Sequence, residues 1–173
     1  GDSGDGVASV VLVDQSEAML AVARRKWLSM IGGDGDGDGE GAGAGAVRTV
    51  VADATALRGE RDGSFDTVVD TFGLCSCGDA ARQLREMQRV CRRDGGRVLL
   101  LEHGRAHYDW LNRWLDRDAP EHARKWGCWW NRDIVRLVEA SGLVVESSTR
   151  LHFGTTYMIV ARPGASAHEG DGG

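Results

Sequence analysis

Two carboxylates, each closing an apolar run, are the side chains best placed for chemistry. Asp14 ends Val7-Ala-Ser-Val-Val-Leu-Val and stands directly ahead of Gln15-Ser-Glu-Ala-Met19-Leu20, while Asp53 ends Val47 to Ala52 and leads into Ala54. A carboxylate at the point where a buried strand turns into a helix is suited to pair both vicinal hydroxyls of a ribose. It is also suited to cap that helix, with Glu17 as the reciprocal partner, and the two roles are compatible. Asp53 has the same two possibilities, a ligand acceptor or a turn residue that bonds its own backbone.

A second group of candidates follows at later strand ends. Thr71, Phe72 and Gly73 come after Phe65 to Asp70, and Glu102 and His103 come after Arg97 to Leu101. Open α/β sheets place their ligand crevice at such carboxyl ends. Gly73 would let a ligand approach the backbone there, or serve as an ordinary glycine between strand and loop. His103, expected to face the crevice with Glu102, has an ordinary pKa near working pH and is suited to deprotonate a thiol, hydroxyl or amine; bonding a neighbouring loop is its structural alternative. Cys75 and Cys77 offer nucleophiles, metal ligands or small buried thiols.

These residues need a scaffold, and the pattern of apolar residues supplies one. Residues 7–13, 47–52, 65–70 and 97–101 read as buried strands. Glu17 to Ile31 reads as a helix through the line Leu20, Ala23, Trp27 and Ile31, where Met19 either packs in the core or lies on a ligand. Asp79 caps a helix through Arg92 that turns Leu84, Met87 and Cys91 inward and ends at Asp94-Gly95-Gly96. A short helix is expected over Tyr108 to Leu115, and another over Arg132 to Ser141 capped by Asn131. Between them the Trp126, Trp129 and Trp130 cluster either roofs a pocket or seals the core. Leu143 to Leu151 and Thr155 to Ala161 are separated only by His152-Phe153-Gly154, which forces an antiparallel pair. Alternating strands and helices of this kind give an α/β domain with a mostly parallel sheet and a C-terminal antiparallel hairpin.

Composition sets the outer limits. With 173 residues and 42% hydrophobic content, the chain has enough material for one domain, expected over residues 1–162 with a polar, disordered tail at 163–173. Residues 32–46 are almost wholly Gly, Asp and Ala, a composition expected to form a mobile surface insertion. A net charge of -5 disfavours a nucleic-acid-coating surface. The four cysteines lack CxxC spacing, so no metal site and no disulfide framework is expected. Asp34-Gly-Asp-Gly-Asp-Gly39 starts like a calcium loop but has Gly45 where the bidentate Glu belongs. No apolar run approaches the ~18 residues of a membrane helix, so any membrane anchor is expected only upstream of Gly1.

The order of elements, with Asp14-Gln15-Ser-x-x-Met19-Leu20, Val51-Ala-Asp53-Ala54, Asp66-Thr-Val-Val-Asp70 and Gly95-Gly-Arg-Val-Leu-Leu-Leu101, resembles the class I S-adenosylmethionine-dependent methyltransferases. Thr71-Phe-Gly-Leu-Cys-Ser-Cys77, Leu101-Glu-His-Gly-Arg105, Trp126-Gly-Cys-Trp-Trp-Asn131 and Gly154-Thr-Thr-Tyr157 look similar to the fungal mitochondrial inner-membrane methyltransferase-like proteins. The human methyltransferase-like relatives that methylate small thiols share parts of that pattern.

The resemblance implies a Rossmann-like methyltransferase fold and S-adenosylmethionine as cofactor. It also implies a cofactor site of Asp14, Gln15, Met19, Asp53, Ala54, Thr71, Phe72 and Gly73, in which Asp53 and the Ala54 backbone read the adenine. His103 is the auxiliary catalytic candidate. The acceptor would be a small molecule, lipid-like or thiol-like, and the location mitochondrial. A ribose acid is expected about 20 residues after a glycine-rich loop. Only Gly1 to Gly6 precede the first strand here, so the expectation is a domain lacking its first strand and that loop. A non-catalytic methyltransferase-like scaffold in an organelle is the alternative, and a nicotinamide dehydrogenase is disfavoured by the terminal hairpin.

Overall fold

The computed structural model describes residues 9–30 and 46–164. Val7, Ile31, the glycine-rich segment up to residue 45, its calcium-like start and the tail from residue 165 lie outside the described residues. The chain divides into two compact units, Gly1–Leu57 and Arg58–Gly173.

In the first unit, β1 (Ser9–Asp14), α1 (Glu17–Met30) and β2 (Ala46–Val51) form a strand–helix–strand unit with the two strands parallel. Asp14 pairs in register with Val51, and the Ala52 N–H donates to the Asp14 carbonyl at 3.1 Å. Leu20 is buried in α1. Ser16, rather than Asp14 with Glu17, caps this helix, its Oγ accepting from the Met19 N–H at 3.3 Å.

In the second unit, β3 (Thr67–Thr71), α2 (Ala80–Val90), β4 (Arg97–His103), α3 (Asp109–Trp126), α4 (Ile134–Ala140), β5 (Leu143–Leu151) and β6 (Thr156–Pro163) follow in order. The sheet order is β3-β4-β6-β5, with β3 and β4 parallel and both pairs of β6 antiparallel. The hairpin expected from its short connection forms, and Phe153 turns it with a left-handed φ of 58°. Pro163, expected to begin the tail, instead ends β6 opposite Leu143.

A core of Leu74, Leu84, Met87, Val98, Leu100, Ile134, Val138, Tyr157 and Ile159 joins α2 and α4 to this sheet. The inward residues of α2 are those expected, with Asp79 as the N-cap accepting from the Arg82 N–H at 2.9 Å.

Two expected boundaries are corrected. The helix expected to stop at Leu115 runs on as α3 to Trp126, straight through Pro120. Proline removes one backbone donor, but burial of Leu115 and Ala119 holds the helix on both sides of that gap. The Trp130 indole N–H donates to the Leu115 carbonyl at 3.1 Å, and Gly127, with φ 70°, closes the helix. Asn131 does not cap α4, because its amide donates to Asp116 Oδ1 at 2.9 Å; Asp133 caps it instead, accepting from the Arg136 N–H at 3.2 Å.

Candidate functional site

Parallel pairing in the first unit puts two acids at one end of adjoining strands. Asp14 is the last residue of β1, and Asp53 lies two residues beyond its register partner Val51. Each side chain makes the same local turn: Asp14 Oδ1 accepts from the Ser16 N–H at 2.7 Å, and Asp53 Oδ1 from the Thr55 N–H at 2.8 Å. The turn role anticipated for Asp53 is therefore realised, and both acids remain exposed. Gln15 and Met19 are exposed beside them, Met19 at 57%. A core position for Met19 is thus excluded, while Ala54 is half-buried.

In the second unit, period-two alternation along β4 dictates the site. Val98, Leu100 and Glu102 fall on the buried face, so a carboxyl group is drawn into the core. His103, one residue on, is half-buried and stacks on Phe72 with ring centroids 4.3 Å apart. The two residues therefore do not share one crevice face as expected, because neighbours in a strand point to opposite sides.

Glu102 is fully buried and accepts three backbone N–H groups: Gly73 at 3.2 Å, Leu74 at 3.3 Å and Cys75 at 3.1 Å. Arg132 holds the same loop through its carbonyls, donating to Leu74 at 2.5 Å and Cys77 at 2.7 Å. Asp70, at the end of β3, accepts from the Leu74 N–H and from Gln83 Nε2, both at 3.1 Å, and hydrogen-bonds Glu102. Burial, reinforced by the Asp70 charge, pushes the Glu102 carboxyl up to about 8; burial also raises Asp70. Both shifts favour the protonated form of the pair.

This scaffold positions the segment from Thr71 to Gly73. Thr71 and Phe72 are exposed, and Phe72 has a φ of 56°, a left-handed conformation costly for a bulky side chain. The Phe72 N–H donates to the Leu101 carbonyl at 2.8 Å, extending the β3–β4 pairing into the turn. A side-chain carbon at Gly73 would collide with the Asp70 carboxylate, so glycine is required here by the protein's own packing.

The half-buried His103 has its pKa lowered, chiefly by burial and secondarily by His122 and His152, which favours the neutral ring. Its Nδ1 lies 3.5 Å from Cys128 Sγ, which in turn lies 3.3 Å from Cys75 Sγ. Cys75 and Cys128 are buried free thiols, and burial pushes Cys128 up to about 12. The tryptophan cluster divides: Trp130 stacks on His122 at 3.8 Å and seals α3, whereas Trp126 and Trp129 are exposed at 66% and 41%.

Glu102's anchoring role, and those of Asp70, Gln83 and Arg132, were not assigned from sequence. The Glu102 burial was accessible from strand alternation. The Arg132 contacts join residues 55 and 58 positions apart and left no local signal.

The fold is matched by the crystal structure of a SAM-dependent methyltransferase from Methanosarcina mazei, with a TM-score of 0.63 and 17% identity, covering 91% of this chain and 83% of that one. Among curated proteins, the mitochondrial methyltransferase OMS1 of Saccharomyces cerevisiae is 31% identical over 159 residues, covering 90% of this chain and 34% of its own length. The ubiquinone/menaquinone biosynthesis C-methyltransferase UbiE of Hahella chejuensis is 42% identical over 93 residues, covering 54% of this chain and 32% of its own. The chain thus spans about a third of the length of these curated relatives. Residues 3–99 match the family described as methyltransferase domain, and by that match over more than half its length the chain belongs to this methyltransferase family.

Proposed function

We propose that the protein is an S-adenosylmethionine-dependent methyltransferase acting on a small-molecule acceptor. The observation that carries this reading is the pair Asp14 and Asp53, exposed carboxylates at the same end of adjoining parallel strands. Such acceptors fit a nucleoside, whose recognisable groups there are donors: two ribose hydroxyls and one exocyclic amine. Asp14 would take the ribose, with Gln15 and Met19 beside it. Asp53 would take the amine, with the Ala54 backbone on the ring edge.

When bound, the cofactor supplies an electrophilic methyl group on a sulfonium. This chain's residues contribute position and exclusion of water, which accounts for much of the rate in such displacements. In the second unit that task falls to Thr71, Phe72 and Gly73, on a loop fixed by Glu102 and Arg132 before any ligand arrives. The lowered pKa of His103 favours the neutral form an auxiliary base needs, but its Nδ1 is turned toward Cys128, leaving Nε2 for any proton transfer.

Both curated relatives above are named methyltransferases, which favours an enzyme over a scaffold. OMS1 is named mitochondrial, which supports the same location here. The test is transfer of labelled methyl from S-adenosylmethionine by the complete gene product to panels of small thiols, phenols and quinols. Label in an acceptor supports the reading; labelled donor left wholly intact across all panels, with no donor binding, contradicts it.

A further inference from the structure

The fold gathers three metal-binding side chains that the sequence keeps far apart. Cys75 and Cys128 are 53 residues apart, and Cys128 and His103 are 25 apart. The two sulfurs and one ring nitrogen of His103 nevertheless lie within 4.8 Å of one another. A tetrahedral zinc ion, with Zn–S about 2.3 Å and Zn–N about 2.0–2.1 Å, sets its sulfurs roughly 3.8 Å apart and sulfur and nitrogen roughly 3.5 Å apart. Here the sulfurs are 3.3 Å apart, somewhat closer than that, and Cys128 Sγ is 3.5 Å from His103 Nδ1, so two of the three spacings are near those of such a ligand set.

Each donor sits on a fixed support. Cys75 belongs to the loop held by Glu102, and its carbonyl accepts from the Trp129 N–H at 2.7 Å, tying it to the segment that carries Cys128. Cys128 follows the left-handed Gly127, and its carbonyl is 2.9 Å from His122 Nδ1. Stacking on Phe72 orients the His103 ring. Two thiolates and a neutral imidazole cancel the charge of one divalent cation, so the loaded cluster is neutral and suited to a buried position. Sulfur and imidazole ligands select borderline-soft cations over magnesium or calcium.

We propose that Cys75, His103 and Cys128 bind one zinc ion, with a fourth position open to water or an exogenous ligand. The expectation of no metal rested on missing local spacing, and it is the tertiary fold that assembles this set. The proposal is independent of the methyltransferase reading, since it is read out on metal alone.

The test uses the whole chain, reduced, stripped with a chelator and re-equilibrated with Zn2+ or Co2+. Zinc at about one equivalent per chain is expected by elemental analysis, with thiolate-to-cobalt charge transfer in the Co2+ form. Cys75→Ala and Cys128→Ala should each lose at least tenfold in zinc affinity, and Cys91→Ala should keep it. Should the variants fail to fold, wild type decides through the Co2+ form, whose thiolate charge-transfer band should saturate at one equivalent and be displaced by one equivalent of Zn2+. Zinc at background level, a Co2+ form without thiolate charge transfer, or full retention by the Cys75→Ala and Cys128→Ala variants overturns the proposal.

Discussion

The buried Glu102 and the half-buried Asp70 form a carboxyl pair beneath the turn that follows β3, and together they accept the backbone N–H groups of Gly73, Leu74 and Cys75. A strand-end acid has become the internal fastening of a loop.

Removing that fastening should unlock the turn. Glu102→Ala leaves the Gly73 and Cys75 N–H groups without their acceptor, leaves Leu74 held by Asp70 alone and opens a cavity, an expected loss of about 3–5 kcal/mol. Glu102→Gln keeps an acceptor oxygen and should lose only about 1 kcal/mol. Urea denaturation of both variants checks the order, and equal losses would show that the buried volume, not the hydrogen bonds, matters.

The pair also sets a pH dependence. Both carboxyls have folded-state pKa values above their unfolded ones, Glu102 at about 8 against an ordinary 4.5. Between those values the native state binds more protons than the unfolded chain, so this contribution is full below about pH 4.5 and is lost as pH rises through 8. In metal-free protein, the stability difference between wild type and Glu102→Gln should therefore shrink from pH 5 to about pH 8.5. A difference that widens over that range would reverse the assigned sign.

Two glycines separate packing from backbone conformation. At Gly73 a methyl group would run into Asp70, its Cγ 2.8 Å away, so Gly73→Ala should cost about 1–3 kcal/mol and shift the loop. At Gly127 the space is open and only the φ of 70° is unfavourable, so Gly127→Ala should cost about 1 kcal/mol and leave the loop in place. Thermal melts give the costs, and amide exchange at Leu74 and Cys75 reports the loop.

Much of the fold was legible because local patterns decide it. The apolar runs ending at Asp14 and Asp70, the Asp79 cap and the three-residue hairpin connection each have a short-range physical cause. The end of α3 was not legible because the Arg- and Trp-rich stretch after Leu115 reads as a connection, whereas burial of Leu115 and Ala119 carries the helix through Pro120 to Trp126. Asn131 reads as a cap until Asp116 takes its amide. The cysteine and histidine cluster left no trace in spacing because three separate elements bring it together. Asp14 and Asp53 were visible as strand-end acids, but only strand pairing shows that they end adjoining parallel neighbours.

The central claim is that Asp14 holds the ribose of S-adenosylmethionine. Calorimetric titration of the complete gene product with S-adenosylmethionine, compared with Asp14→Asn, tests it most directly. Asparagine retains an oxygen for the Ser16 N–H and removes only the charge, so the turn survives. Affinity should fall by about 1.5–3 kcal/mol, roughly 10- to 150-fold, with unfolding temperature unchanged. Equal affinities for wild type and Asp14→Asn would contradict the account.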